Sequence, residues 1–426
     1  MSKRSATREG EAGGGRTVRR AHGARAEGAI AREMPCTLHA RVQGAGRRGP
    51  ASGEVARAGR NAAGARVALC VLVIALGGCG RRAERPPAPP PSPPFPPLAA
   101  PLDSLTLTAT FGEYRSAHFH AGCDFSTEGE IGHVVYAPLA GSVIRLHVSG
   151  GGFGRSITLG APDGRSIVFG HLDAFEEPLA SAIDSVQRAT GQYEQDLTYP
   201  PGRFTFRAGQ RIAWSGESGA GPAHLHMELH RGITSFNALE FGLAVPDSTR
   251  PILERVILEP LDSSLVQGRA APRNVPLYRR VDTLVVSGRA RVWIEATDPG
   301  LRGSHMAPYA LSAAWNGAAV EARFDSVRWD SDMVAAEWVY DGDERLAHAH
   351  PLALWFGPGY RDIVYALPAG AREAGVIAVA PGDPARALAL EARDAAGNRA
   401  TATVWVRGPR GAQPRAPVAA ARHRAR

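Results

Sequence analysis

The sequence contains 426 residues, enough for two ordinary domains, and carries a formal net charge of +8. Residues 1–79 hold 14 Lys and Arg against 5 Asp and Glu, which leaves 35 basic and 36 acidic residues in the rest of the chain. Because everything after residue 79 is nearly neutral, the composition argues against a nucleic-acid-binding protein.

The chain begins with a segment that is unsuited to folding. Residues 1–66 are rich in Ala, Gly and Arg and poor in large apolar residues, which predicts a disordered basic leader. A leader of this length before a signal sequence is unusual. We therefore expect that translation starts further downstream, at Met34 or at Val55.

An apolar run, VALCVLVIALGG, occupies residues 67–78. It is too short to span a membrane, which takes about twenty residues, but it is typical of a signal-peptide core. The residues from Leu76 to Cys79, LGGC, resemble the lipobox of bacterial lipoproteins. That resemblance implies a lipidated Cys79 that anchors the mature protein to a membrane of the cell envelope. An ordinary signal peptide or an uncleaved anchor is the alternative.

Residues 80–101 are rich in proline and predict an extended, semi-rigid linker. Such a linker would hold a folded domain away from the membrane, although a proline-rich recognition segment is an alternative. After Cys79 the mature chain has one further cysteine, Cys123, so no disulfide framework is expected. We interpret Cys123 as a small core residue.

From Leu102 to Val245, runs rich in Val, Ile and Thr are punctuated by glycine, which predicts a mostly antiparallel β fold. Within it lies HFHAGCDF, residues 118–125. In an extended segment His120 and Asp124 share one face and can approach the same ion.

Two further histidine-bearing pieces follow along the chain. A predicted hairpin, SITLG and RSIVFG, leads into His171. The last piece, AHLHMELH at residues 223–230, predicts a strand in which apolar and polar residues alternate. His224 and His226 then project from one face; a polar face with chance histidines is the alternative. Proteins hold a catalytic Zn²⁺ with ligand sets such as two histidines and a carboxylate, which leave the fourth position open.

The three pieces, H-x-x-x-D, G-H-L and H-x-H, occur in the order found in the lysostaphin or LytM type of zinc metallopeptidases, which cut peptidoglycan cross-links. The resemblance covers residues 111–242. It implies an antiparallel sheet with a groove, Zn²⁺ as cofactor, and a site that consists of the metal ligands His120, Asp124 and His226 and the catalytic histidines His171 and His224. Which catalytic histidine is the general base and which stabilises the oxyanion stays open.

Several residues near these motifs are not expected to bind the metal or take part in catalysis directly. We expect His118 to have a supporting or surface role and His230 to be solvated, while Glu228 either supports a metal ligand or forms a salt bridge elsewhere. The glycine-rich segment 150–154 lacks the features of a phosphate loop and predicts a hairpin turn. An insertion at residues 175–208 predicts a short amphipathic helix bordering the groove.

Residues 246–407 contain short alternating strands and predict an immunoglobulin- or fibronectin-like β-sandwich, whose last turn is DAAGN at 394–398. No cluster of acids, histidines or a nucleophile stands out there, so we expect a binding or spacer role. His348 and His350 are not expected to form a second metal site. Residues 408–426 predict a disordered basic tail.

The sequence therefore predicts a membrane-anchored envelope lipoprotein, facing the periplasm or cell wall, that hydrolyses peptidoglycan stem peptides or cross-bridges. The alternatives are a non-catalytic scaffold that binds peptidoglycan or activates an amidase, and a peptidase for another secreted protein.

Overall fold

The computed structural model describes residues 95–115, 118–300, 303–341, 349–355, 364–366 and 375–410. The predicted leader, the signal core with Cys79, most of the proline-rich linker, His348 and nearly all of the basic tail lie outside these ranges. Within the described part of the chain, no helix combines the length and the apolar character that a membrane crossing requires.

The protein is mostly β, as predicted, and its strands pair antiparallel almost throughout. The strands of the first half are β1 (Leu107–Ala109), β2 (Tyr114–Arg115), β3 (His118–Phe119), β4 (Cys123–Ser126), β5 (Val134–Tyr136), β6 (Gly141–Val148), β7 (Arg155–Gly160), β8 (Arg165–Phe175), β9 (Gln195–Thr198), β10 (Thr205–Phe206), β11 (Arg211–Ser215), β12 (His224–Arg231) and β13 (Thr234–Phe236). Most of them form one sheet in the order β1-β4-β12-β8-β7-β6-β10, in which β11 also pairs with β5 and β8, β9 with β6, and β13 with β12.

Strand β12 lies near the middle of this sheet, between β4 and β8. Its apolar residues Leu225, Met227 and Leu229 alternate along the strand and are completely buried, which confirms the period-two prediction. Burying side chains of this size contributes about 1.5–3 kcal/mol each. The register of β12 is therefore strongly fixed, because a slip by one residue would turn these side chains out of the core.

The predicted insertion contains the amphipathic helix α1 (Leu179–Thr190), which buries Leu179 and Ile183. The helix ends at Gly191, whose φ of 68° is left-handed and whose N–H donates to Gln187 O. After the helix the insertion adds strand β9, which pairs with β6.

The second half of the chain forms a further set of paired strands. They are β14 (Ile252–Pro260), β15 (Leu265–Val266), β16 (Arg273–Pro276), β17 (Leu284–Pro299), β18 (His305–Met306), β19 (Ala310–Trp315), β20 (Ala318–Arg323), β21 (Ser326–Arg328), β22 (Leu352–Ala353), β23 (Tyr365–Ala366), β24 (Val376–Val379), β25 (Arg386–Arg393) and β26 (Arg399–Arg407). The order is β16-β14-β17-β26-β25-β19-β20-β23, and a short 3₁₀ turn (Met333–Ala335) leads into helix α2 (Ala336–Val339). Among the described strands, only β17 and β26 pair in parallel. The immunoglobulin-like character of this half stays a prediction.

The two halves are joined by hydrogen bonds and by a shared core. Strand β21 pairs with β13 of the first sheet, from Thr234 opposite Arg328 to Phe236 opposite Ser326. The stacked rings of Phe324 and Tyr340 also lie against Phe119, at centroid distances of 5.9 and 6.2 Å from it. Residues predicted to belong to two domains therefore pack as one compact unit, and the second half helps to position the first sheet.

Candidate metal centre

Three short pieces of chain converge at one end of β12. Asp124 lies in β4 and His226 lies directly opposite it in β12, while His120 lies three residues before the first residue of β4. The close approach depends on Gly122, because a Cβ atom there would lie 2.5 Å from Met227 O and 2.9 Å from His226 Cε1. The glycine of the HAGCD motif thus allows the two histidines to meet.

The side chains of these residues point one atom each at a common centre. His226 Nδ1 is 2.8 Å from Asp124 Oδ1 and 3.1 Å from His120 Nε2, and the third side of this triangle, from His120 to Asp124, measures 3.3 Å. Ligands at zinc-binding distances in a tetrahedral arrangement lie about 3.3 Å apart. All three residues are largely buried, so the set fits a small divalent cation of the kind that imidazole and carboxylate ligands prefer.

The far sides of both imidazole rings are held by hydrogen-bond acceptors. His120 Nδ1 donates to Thr110 O at 2.8 Å, and His226 Nε2 donates to Glu228 Oε1 at 3.2 Å. These bonds orient the rings so that His120 Nε2 and His226 Nδ1 face the centre with free lone pairs when a metal binds. Partners of this kind are usual for metal-binding histidines.

The electrostatic environment also favours a cation. Burial alone opposes a charged His226, but its hydrogen bonds with Asp124 and Glu228 outweigh this effect and raise its pKa to about 10. Burial alone would raise the pKa of Asp124, yet the neighbouring His120 and His226 hold it well below its usual range. The centre therefore contains carboxylates that are ionised and that stabilise positive charge between them.

Glu228 extends this network away from the centre. It is 3% exposed, and its second oxygen accepts from His230 Nε2 at 2.6 Å. Ser235 Oγ lies 3.3 Å from His230 Nε2 and accepts from Trp329 Nε1 at 2.6 Å. The expectation of a solvated His230 is therefore wrong: β13 and the indole of Trp329 cover it. Both alternatives for Glu228 have a counterpart in the structure, because one of its oxygens contacts the predicted metal ligand His226 and the other pairs with His230.

His171 and His224 lie together beside the cluster, with ring centroids 4.5 Å apart. His171 Nδ1 donates to Ser218 O at 2.9 Å and His224 Nδ1 donates to Pro222 O at 2.7 Å. With these tautomers both Nε2 atoms keep a lone pair, and that of His224 lies 3.8 Å from Asp124 Oδ1. Burial lowers the pKa of His171 to about 4, which makes its ring neutral at neutral pH.

The backbone at His171 is strained, with φ of 59° in the left-handed region that non-glycine residues rarely adopt. Its N–H donates to Phe153 O at 2.8 Å, which holds the residue in place. Such strain is commonly found at functional sites. Phe153 belongs to the glycine-rich segment 150–154, which turns between β6 and β7 as predicted and places its ring 5.3 Å from that of His226.

One neighbour of the cluster was not identified from the sequence. Arg115, in β2, binds Glu113 at 2.8 Å and lies 3.8 Å from Asp124 Oδ2. It lines a cavity of about 310 Å³ together with His305 and Tyr340 of the second half of the chain. By contrast, His118 is exposed and Cys123 is a buried core residue, whose thiol pKa is raised by burial.

No protein-family model and no curated protein matches the sequence. Among solved structures, the catalytic domain of the prophage-encoded M23 protein EnpA from Enterococcus faecalis is 20% identical, with a TM-score of 0.23 over 32% of this chain and 88% of that chain. A zinc-containing peptidase from Vibrio cholerae is 21% identical, with a TM-score of 0.24 over 36% of this chain and 41% of that chain. A structure of a SpoIIIAH–SpoIIQ complex is 18% identical, with a TM-score of 0.24 over 34% of this chain and 99% of that chain.

Proposed function

We propose that this protein is a zinc-dependent endopeptidase that hydrolyses stem peptides or cross-bridges of bacterial peptidoglycan. The observation that carries the proposal is the triangle of His120 Nε2, Asp124 Oδ1 and His226 Nδ1, with two further imidazoles beside it. A structural zinc site usually has four protein ligands, whereas three leave a position open for chemistry.

His120, Asp124 and His226 would hold the metal. Zn²⁺ at this position supplies Lewis-acid chemistry, since it polarises a carbonyl group and makes water more acidic at neutral pH. Asp124 and Glu228 provide negative charge on both sides of His226, and the hydrogen bonds from His120 and His226 to their acceptors fix the ring orientations.

The remaining steps of peptide hydrolysis require groups that accept and donate protons. The Nε2 atoms of His171 and His224 have free lone pairs, because both Nδ1 atoms donate to backbone carbonyls. The ring of His171 is neutral at neutral pH because burial lowers its pKa. It can accept a proton from the attacking water once the reaction makes that water acidic, and it then returns the proton readily to the leaving amine. After protonation the same Nε2–H can donate to a developing oxyanion.

The substrate class follows from the resemblance of the three motifs to lysostaphin-type peptidases and from the predicted lipoprotein signal. A lipid on Cys79 and the proline-rich linker would keep the domain at a membrane surface of the envelope, facing the wall. The partner in this proposal is therefore peptidoglycan, and the membrane contact is made through the anchor rather than through the folded part.

The test is digestion of isolated sacculi by the full-length protein, with the released muropeptides identified by mass spectrometry. We expect loss of cross-linked species that stops with a chelator, returns with added zinc, and is absent from His226→Ala. His147→Ala, which removes a histidine of β6 outside the cluster, is the matched control and should retain activity. Intact sacculi in the presence of zinc-loaded wild-type protein would refute the endopeptidase and favour the non-catalytic scaffold or amidase activator.

A further inference from the structure

Three aspartates that are distant in the sequence converge at a second place in the molecule. Asp247 precedes β14, Asp298 is near the end of β17, and Asp394 follows β25. One carboxylate oxygen of each lies within 4.8 Å of the others. They line a cavity of about 400 Å³ whose walls include Thr110 and Tyr309.

Asp298 is the most unusual member of this group. It is 4% exposed, and within the described residues its buried Oδ1 has no hydrogen-bond partner. Leaving a buried ionised carboxylate without a partner is strongly unfavourable unless a cation or a proton compensates it. The described part of the chain places no Lys, Arg or His in an ion pair with Asp247, Asp298 or Asp394.

The other two carboxylates have partners of their own but remain able to bind a cation. Asp394 is 1% exposed, and its oxygens accept from Asn398 N and Asn398 Nδ2, both at 2.8 Å. Asp247 is more exposed than the other two and accepts from Thr249 N at 2.8 Å. Each carboxylate oxygen has two lone pairs, so these bonds leave acceptor positions free.

Without a cation the three groups repel one another. Burial, together with the charges of Asp394 and Asp247, raises the pKa of Asp298 to about 8. Burial also raises the pKa of Asp394, against the effect of the Asn398 hydrogen bonds.

We propose that Asp247, Asp298 and Asp394 form a binding site for a divalent cation of the calcium class. The donor set consists of oxygen atoms alone, which suits a hard cation, whereas zinc sites are usually built from imidazole and thiolate. Ca²⁺ takes six to eight oxygen ligands in flexible geometry, and the cavity has room for the water molecules that would complete its coordination. Mg²⁺ requires a more regular octahedron, which makes it the poorer candidate.

A cation at this site would tie together three segments that surround the junction of the two halves. Asp298 pairs with Met306 in the β17–β18 ladder, and the next residue, Ala307, accepts from Thr110 Oγ1 at 2.7 Å. Thr110 O in turn holds His120. The calcium site is separate from the zinc-type centre, and Ala307 and Thr110 connect the two by hydrogen bonds. The calcium proposal does not depend on peptidase activity.

The test uses full-length protein that has been stripped of metal and exchanged into chelator-free buffer. Ca²⁺ at about 10 mM, well above the dissociation constants of many extracellular calcium modules, should raise Tm by about 2–4 °C. Isothermal titration should give one Ca²⁺ per chain, and Mg²⁺ should bind at least tenfold more weakly. Asp298→Asn should weaken Ca²⁺ binding at least tenfold. Because an amide is neutral without a bound cation or proton, the metal-free variant should melt at or above the wild-type temperature.

Two control variants make the result specific. Asp262→Asn, at an exposed position outside the cluster, and His226→Ala, in the zinc-type centre, should both keep the wild-type calcium response. Asp247→Asn changes the most exposed of the three aspartates and should lose the calcium response. It therefore tests the proposal even if Asp298→Asn fails to fold. A wild-type Tm that calcium does not change, an equal response to Mg²⁺, or an undiminished response in Asp247→Asn would each overturn the proposal.

Discussion

His226 Nδ1 and Asp124 Oδ1 lie 2.8 Å apart across the paired strands β12 and β4, where the two residues are direct cross-strand neighbours. Their positions are fixed by the sheet rather than by loops, and this makes for a rigid site. His120 joins them from the preceding turn, which Gly122 allows to approach. The predictions below use this arrangement and the packing around it.

Removing a member of the donor triangle should abolish stoichiometric zinc binding. We expect Asp124→Asn and His226→Ala to reduce zinc affinity by at least 100-fold, because two ligands cannot hold the ion as three do. Metal content after equilibrium dialysis, measured by mass spectrometry, tests this. His118→Ala, at an exposed position two residues before His120, should keep its zinc. Full zinc content in either ligand variant would contradict the assignment.

Glu228 should act on the metal through His226. We expect Glu228→Gln to lower zinc affinity about 10–100-fold, since the ring loses its anionic acceptor but not its place in the strand. Competition with a chromophoric chelator would measure the change. The control is Glu130→Gln in an exposed turn, for which no change is expected. Equal affinities of Glu228→Gln and the wild type would mean that Glu228 is structural only.

Breaking the buried ion pair between Arg255 and Glu295 should destabilise the second half of the chain. These residues are 3% and 1% exposed, so Glu295→Ala removes the carboxylate that neutralises a buried guanidinium and should cost about 3–5 kcal/mol in the free energy of unfolding. Denaturant unfolding followed by circular dichroism measures it. Asp196→Ala removes the exposed partner of Arg145 and should cost about 1 kcal/mol at most. Similar losses for both variants would show that burial of the pair is not decisive.

The two halves should unfold together. Phe324 is fully buried against Phe119 and Tyr340. Its ring also packs so closely on Gly112 that a Cβ atom there would lie only 2.4 Å from Phe324 Cδ1. Phe324→Ala should therefore cost about 3–5 kcal/mol and lower the melting temperature of both halves. In differential scanning calorimetry of the wild-type protein, both halves should unfold in one transition. Two separate transitions, of which Phe324→Ala shifts only one, would contradict this.

The sequence was informative where structure depends on local patterns. The alternation in β12 predicted both its buried face and the projection of His224 and His226, and the amphipathic spacing predicted α1. The environment of His230 differs from the prediction because Ser235 of β13 and Trp329, the residue after β21, cover it, and no local pattern reveals this packing. Arg115 likewise approaches Asp124 only because β2 and β3 fold back on each other.

The acidic group shows the same limit more clearly. No acidic cluster was expected after residue 246, since Asp247, Asp298 and Asp394 belong to no common motif and their neighbours in sequence are not acidic. The sequence pattern identifies Asp394 only as part of the DAAGN turn. Folding of β14, β17 and β25 brings the three together, so the cluster follows from tertiary structure alone.

The pairing of β21 with β13 has a consequence for anyone who shortens this protein. If the chain ended at Val245, the backbone N–H and C=O groups of β13 that face β21 would become an open sheet edge, next to the exposed Ile233. Unprotected edges invite pairing with other molecules and aggregation. In the intact chain β21 pairs with this edge. Because β21 is only three residues long and ends in the charged Arg328, it is itself a poor template for pairing with another molecule. The second half therefore covers a strand edge that the first sheet would otherwise leave open.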